Sequence, residues 1–474
     1  MATPASTDLA YLPAETLAAM IRRRDLSPVE LMEATLARIG AVNPTLNAFI
    51  QMDAERALAE AGAQAERLTR GEDLGALGGL PFGVKELENA AGFLSTSGSR
   101  AFAERRAEHD DVHVARLRAA GAICLGKTNS PEFGYTCFTS NDLFGTTRNP
   151  WNIERTPGGS SGGASAAIAS GMVSIATASD GGGSIRIPAC FVGAYGLKPT
   201  FGTVPITPGE MLPWTDTSHY GPLTRTVRDA ALYLDVTAGY HPADPTSLPK
   251  APFSYLERVE EPLPRLRIAF NRKLACPAVQ SDVAREVEQA VKAFSDLGHV
   301  VEENSDAIEG MVIHWVRMGR FQAMAGMEET VRDHSDLFTP GYAAGYRLAE
   351  GIGPHEFGEA YRARAQVNDW LRGIFDRYDL LLTPTMPYEA FGAEGPLPSE
   401  VDGVSLGREI VPFTALFNFS GHPAATVRAG FTDSGLPAGL QIVGPRHADL
   451  RVLQASRAYE QARPWNDRWP ALPS

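Results

Sequence analysis

The chain has 474 residues, 44% of them apolar, enough to build a substantial core in one large α/β domain or in two to three smaller ones. A formal charge of −13 and a sequence pI near 5.3 argue against direct binding to nucleic acid or an anionic membrane, and they favour small molecules as partners. No stretch approaches the roughly 20 apolar residues of a membrane span, and Met1 to Tyr11 lacks a basic segment followed by an apolar one, so the expected location is the cytoplasm.

In chain order, residues 1–70 read as helical. Ser27-Pro28-Val29-Glu30 is a capping box with proline at the first helical position, and Met32, Leu36 and Ile39 follow on one face. A second helical pattern covers Asp53 to Arg70. From Leu80 onward, short apolar runs at Phe82 to Val84, Ile123 to Leu125 and Val173 to Ala178 alternate with small-residue or helical segments, the pattern of a buried sheet layered with helices. Between His241 and Arg265 six prolines (Pro242, Pro245, Pro249, Pro252, Pro262, Pro264) disfavour any regular element and mark a connector. Beyond it the chain reads strand (Leu266 to Phe270), helix (from Ser281, ended by Gly298) and strand (His299 to Glu303). Further strands are expected at Asp379 to Leu382 and Gly439 to Val443, with a last helix near Leu450 to Ala462.

The four cysteines, Cys124, Cys137, Cys190 and Cys276, are widely spaced and read as buried thiols; neither they nor the ten histidines show metal-ligand spacing, so no metal is expected.

Between Pro157 and Ala189 stand two serines framed by glycine, Ser160 and Ser184. Glycines on both sides let the backbone approach a substrate and aim several N–H groups at one point, as a nucleophile beside an oxyanion site requires. The pattern is that of a serine hydrolase. A serine needs a base. His219 keeps a Ser-His-Asp triad open, because triad members need not be close in sequence. A lysine is the better candidate: only six of the 43 Lys and Arg residues are lysine, and Lys85 ends the apolar run Leu80 to Val84. Burial there favours the neutral amine, which can accept a proton as arginine cannot. A paired lysine at a strand end is the structural alternative, and Lys198 is a second candidate base.

Gly158-Gly159-Ser160-Ser161-Gly162-Gly163, Asp180 through Ala189 and Pro81-Phe82-Gly83-Val84-Lys85 together resemble the amidase signature family. Gly126-Lys127-Thr128-Asn129, Thr147-Arg148-Asn149-Pro150-Trp151 and Gly196-Leu197-Lys198-Pro199-Thr200 extend the likeness to nearly the whole chain. The resemblance implies a single α/β/α domain over 1–474, its mixed, mostly parallel central sheet flanked by helices. Within it, 1–70 is an N-terminal helical segment, 75–240 the signature core, 241–265 the connector and 266–474 the C-terminal α/β part.

The resemblance further implies a Ser-cis-Ser-Lys triad: Ser184 as nucleophile, Ser160 as bridge after a cis Gly159–Ser160 bond, and Lys85 as base. The spacings match, Ser160 following Lys85 by 75 residues and Ser184 following Ser160 by 24. The N–H groups of Gly181, Gly182, Gly183 and Ser184 would form the oxyanion hole. Ser161 is a second candidate for the bridge, but the spacing favours Ser160 and leaves Ser161 to support it; Asp180 and Arg186 bracket the nucleophile and read as an ion pair that fixes the loop, with a catalytic role as the alternative. Gly181 departs from the family, which often carries a side chain there. No cofactor is implied. The substrate would be a small amide cleaved through an acyl-enzyme, with esters and carbamates also within reach, and the chain a monomer or homodimer. The other reading is the amidase subunit of an aminoacyl-tRNA amidotransferase.

Two motifs read as accidents. Gly121 to Thr128 matches a phosphate-binding loop, but its apolar residues fill positions where a loop belongs. Asn418-Phe419-Ser420 matches a glycosylation site, which has no meaning without a secretory signal. Phe133, Tyr135, Phe144, Phe191, Met211, Leu212 and Trp214 are candidates for an apolar substrate pocket, with core packing as the alternative.

Overall fold

Apolar runs too uniform to be half-exposed build one eleven-stranded sheet covered by helices on both faces. The computed structural model describes residues 9–206, 216–324, 327–407 and 411–472; Met211, Leu212 and Trp214 lie outside them. In chain order the sheet strands are β1 (Phe49–Met52), β2 (Pro81–Lys85), β3 (Ile123–Thr128), β4 (Ile175–Asp180), β5 (Tyr195–Lys198), β6 (His219–Thr224), β7 (Arg267–Phe270), β8 (Val300–Glu303), β9 (Leu380–Pro384), β10 (Ala424–Phe431) and β11 (Pro437–Val443). Their order across the sheet is β1-β3-β2-β4-β6-β5-β10-β11-β9-β7-β8. The sheet is mixed: β3-β2-β4 and β9-β7-β8 are parallel blocks, and antiparallel ladders join them through β6, β5, β10 and β11 and add β1 at one edge.

Side chains alternate along each strand, which produces the layers. Phe82, Val84, Cys124, Ala425, Val427, Leu380 and Leu382 pack on one face with Tyr233, Phe294 and Tyr459 of helices Val227–Thr237, Ser281–Asp296 and Asp449–Ala462. On the other face, Ile123 and Leu125 meet helices Pro28–Leu46, Ala54–Thr69 and Gly162–Ala169. Also there, Leu381 and Ala424 meet helices Arg186–Val192, Val312–Met324 and Pro354–Phe375.

The capping box is present: Val29 N–H donates to Ser27 Oγ (3.2 Å) and Ser27 N–H to Glu30 Oε2 (2.8 Å). The connector needs one correction. It holds the short helix Tyr255–Arg258, in the proline-free gap between Pro252 and Pro262, whose first N–H groups are taken by Asp235 and Ser254. Gly126 and Lys127 lie inside buried β3, where a Cβ on Gly126 would fall 2.0 Å from the Gln51 carbonyl; the phosphate-loop pattern is a strand.

Two of the parallel strands set the site. β2 and β4 run side by side, Phe82 opposite Ile175 and Gly83 opposite Ala176, so their C-terminal ends deliver Lys85 and the 181–184 loop to one place.

Candidate active site

Lys85 is fully buried at the end of β2, and its Nζ donates to Ser160 Oγ at 2.8 Å and to the Ser179 carbonyl at 3.0 Å. Burial lowers its pKa from the ordinary lysine value to about 8, although Glu88 and Asp180 favour the charged form. Ser160 follows a cis peptide bond from Gly159. Gly134, at φ +70°, backs onto it: a Cβ there would lie 3.1 Å from Ser160 Oγ, so a bare backbone leaves room for the hydroxyl.

Ser161 bridges two segments. Its N–H donates to the Ser184 carbonyl (3.3 Å) and its hydroxyl to the Ser179 carbonyl (3.4 Å), which ties Ser184 beside the Lys85–Ser160 pair. Ser184 is partly exposed, and its hydroxyl has no hydrogen-bond partner among the described residues.

The 180–184 loop is held by charge and by carbonyl contacts. Asp180 and Arg186 form a fully buried, two-pronged ion pair at 3.0 Å, and Arg186 also reaches Gln441 Oε1 (2.7 Å), Asn418 Oδ1 (2.5 Å) and the Thr414 carbonyl (3.0 Å). Burial alone would raise the Asp180 pKa, but Arg186, then Lys198 and Asn418, outweigh it and hold the carboxyl well below the usual range.

The four N–H groups expected at the oxyanion hole are not placed alike. Gly183 N–H donates to Asp180 Oδ1 at 2.6 Å and Ile185 N–H to Oδ2 at 3.1 Å, because a carboxylate under a turn takes the nearest amides. The N–H groups of Gly181, Gly182 and Ser184 have no acceptor among the described residues.

The competing bases are placed elsewhere. Lys198 is buried and its amine donates to the carbonyls of His422 and Pro199, with burial and Arg186 keeping its pKa far below the ordinary value. His219 is buried with Nδ1 on the Thr217 carbonyl (2.8 Å) and Nε2 without a partner among the described residues, and burial lowers its pKa well below the usual histidine value. Neither hydrogen-bonds to Ser160 or Ser184.

The sequence pattern of the Amidase family matches residues 30–453. The chain belongs to the amidase signature family. It is thereby an amidase, acting on carbon–nitrogen bonds other than peptide bonds. An acylamidase of Rhodococcus erythropolis is 36% identical over 98% of both chains, and a glutamyl-tRNA(Gln) amidotransferase subunit of Moorella thermoacetica is 34% identical over 98% of this chain and 99% of its own. A bacterial aryl acylamidase of the same family superposes with a TM-score of 0.90 at 32% identity, covering 96% of this chain and 97% of that one.

Three features of this amidase site carried no clear sequence signal. Asn418, which in the sequence stands in a glycosylation pattern, is fully buried and donates to the Asp180 carbonyl (2.6 Å) and carboxylate (2.8 Å). Trp315 and Thr414 reach the same loop from the C-terminal half. Behind Lys85 lies a buried charge cluster: Glu88 contacts His113 (3.0 Å), and Lys127 pairs with Glu86 (3.6 Å). Acidic residues after a strand read as solvated, so burial was the missing information.

Of the pocket candidates, Phe133 and Phe191 are core. Phe133 packs on Tyr342 (4.5 Å between ring centres) and Phe338, and Phe191 on Tyr388 and Phe391. Tyr135 is half-buried, accepts from Arg320 (3.1 Å) and packs on Tyr342, while Phe144 is half-buried in the loop held by Asn141. Among the described residues no His, Cys, Asp and Glu group could hold a metal ion, and no helix is long and apolar enough to cross a membrane.

Proposed function

We propose that the chain hydrolyses small acyl amides, aryl amides included, through an acyl-enzyme on Ser184, with Ser160 as proton bridge and Lys85 as base. The observation that carries this reading is the 2.8 Å contact between a fully buried amine and the hydroxyl of Ser160. That amine has a pKa lowered to about 8 by burial and a hydroxyl in reach, as a general base requires.

In this mechanism neutral Lys85 takes the proton of Ser160 as Ser160 takes that of Ser184. The Ser184 oxygen bonds to the carbonyl carbon, and the oxyanion is met by the free N–H groups of Gly181, Gly182 and Ser184. Collapse breaks the C–N bond, the proton returns along the same relay to the leaving nitrogen, and the amine departs. Water then gives its proton to the relay and its oxygen to the acyl carbon, and Ser184 leaves with the proton restored. The contact between Ser160 and Ser184 is the link that substrate has to close; catalytic hydrogen bonds often tighten only in the complex. Esters and carbamates share the tetrahedral chemistry and are expected to react.

The amidotransferase-subunit reading uses the same triad and is supported by relatives of almost equal identity. The test is a panel of anilides, alkyl amides, esters, carbamates and glutamine offered to the purified chain and to Ser184→Ala. The proposal expects turnover of anilides by the chain alone and its loss in the variant. Glutamine hydrolysis that appears only with partner subunits, with anilides untouched, would favour the amidotransferase reading.

A further inference from the structure

Three consecutive carbonyls of the loop before Ser184 each accept a hydrogen bond from a side chain outside the loop. Asn418 Nδ2 donates to the Asp180 carbonyl at 2.6 Å, Trp315 Nε1 to the Gly181 carbonyl at 2.8 Å, and Thr414 Oγ1 to the Gly182 carbonyl at 2.6 Å. A trans peptide is planar, with its N–H pointing opposite to its C=O. Each donor therefore also sets the direction of the N–H one residue on. The peptide held by Thr414 turns its N–H, that of Gly183, onto Asp180. The peptide held by Trp315 turns the Gly182 N–H away from the indole, where no acceptor among the described residues meets it.

We infer that Trp315 is a positioning residue for the amidase reaction: its indole N–H fixes and polarises the 181–182 peptide, so that the Gly182 N–H is aimed at the oxyanion before substrate arrives. The inference rests on the proposed role of Ser184, and it assigns a part in catalysis to helix Val312–Met324, which lies outside the signature motifs. Two observations agree on the assignment. The hydrogen bond has unstrained length, and the indole ring lies flush against the loop, since a Cβ on Gly182 would fall 2.2 Å from Trp315 Cζ2. A side chain that served only as core would make the second contact without the first. The Trp315 side chain is largely buried although the Gly181 carbonyl is half-buried, and a carbonyl that accepts strengthens the donor at the other end of its peptide.

A preorganised donor acts on the charge that develops in the transition state and not on the bound amide. Loss of the indole N–H therefore lowers kcat and leaves KM nearly alone. The experiment compares wild type with Trp315→Phe, which keeps an aromatic ring against Gly182. It adds a chain carrying β-(3-benzothienyl)alanine at position 315, in which sulfur replaces the N–H and the ring shape is kept. Anilide turnover, the Ki of a trifluoromethyl ketone and the melting temperature are measured for each.

The expected result is a fall in kcat of about 10- to 100-fold, below the full loss of one oxyanion donor, with KM within about twofold. The ketone, which forms an oxyanion on Ser184, weakens by the same factor as kcat/KM, and the melting temperature of the benzothienyl chain stays at the wild-type value. Wild-type kcat in that chain, or an unchanged ketone Ki, would overturn the inference. Failure of the Ser184 assignment looks different: the ketone would then inhibit Ser184→Ala and wild type equally, whatever stands at position 315.

Discussion

Lys85 pairs complete burial with a position between opposing influences: desolvation takes its pKa down to about 8, and Glu88 and Asp180 hold it from falling further. The sign of the pH dependence follows. In the proposed role Lys85 must be neutral to accept a proton, so kcat/KM for an anilide should rise with pH and level off above a midpoint near 8. Replacing Glu88 with Gln removes an anion that favours the ammonium, and Gln keeps an oxygen for the His113 ring. The midpoint of Glu88→Gln should therefore move to lower pH, read from kcat/KM profiles of the two proteins. A shift to higher pH, or none, would mean that Glu88 does not face the amine electrostatically. At this scale the sequence was informative about Lys85 because lysine is rare in the chain and this one closes an apolar run. Glu88 and His113 were invisible, since nothing in their neighbours indicates that both are fully buried.

The loop from Asp180 to Ser184 is held by an element-scale network in which one guanidinium serves a carboxylate, a carbonyl and two side-chain amide oxygens. Replacing Arg186 with Met leaves Asp180 buried and without its counter-charge. Breaking one side of a buried pair costs about 3–5 kcal/mol, and that loss is expected in urea unfolding of Arg186→Met; a loss below about 1 kcal/mol would show that Asn418 and the two loop amides suffice. The glycine frame of Ser184 was legible because glycine and serine in that order imply close backbone approach. The donors Trp315, Thr414 and Asn418 were not, because they come from 131 to 234 residues away and no spacing rule links them to the loop. Elements with strong periodicity, such as the helix Ser281–Asp296, were legible within a few residues. Strands β5, β6 and β10 were not. Glycine and proline interrupt β5 and β6, and the Ala-Ala-Thr-Val opening of β10 carries no alternation that separates it from a helix.

Across the whole molecule, the sheet joins two parallel blocks through antiparallel strands, and the site draws on both halves of the chain. Lys85 and the two serines come from the N-terminal side of the connector, whereas Trp315, Thr414, Asn418 and Gln441 come from its other side. β5 pairs with β10 across that division, Ala424 opposite Lys198, so the chemistry of the N-terminal half is braced by the C-terminal half. The alternation of apolar runs with helical segments made the layered architecture readable in advance. The strand order was not readable, because pairing between residues more than two hundred positions apart leaves no local pattern.

In the proposed mechanism an uncharged lysine activates Ser184 through Ser160. The most direct test is the rate of fluorophosphonate labelling in wild type, Ser184→Ala and Lys85→Ala, with the adduct mapped by mass spectrometry and the fold checked by circular dichroism. The expected result is an adduct on Ser184 in wild type, none in Ser184→Ala, and labelling slower by about a thousandfold or more in a folded Lys85→Ala. An adduct on any other residue, or near-wild-type labelling of Lys85→Ala at neutral pH, would contradict it.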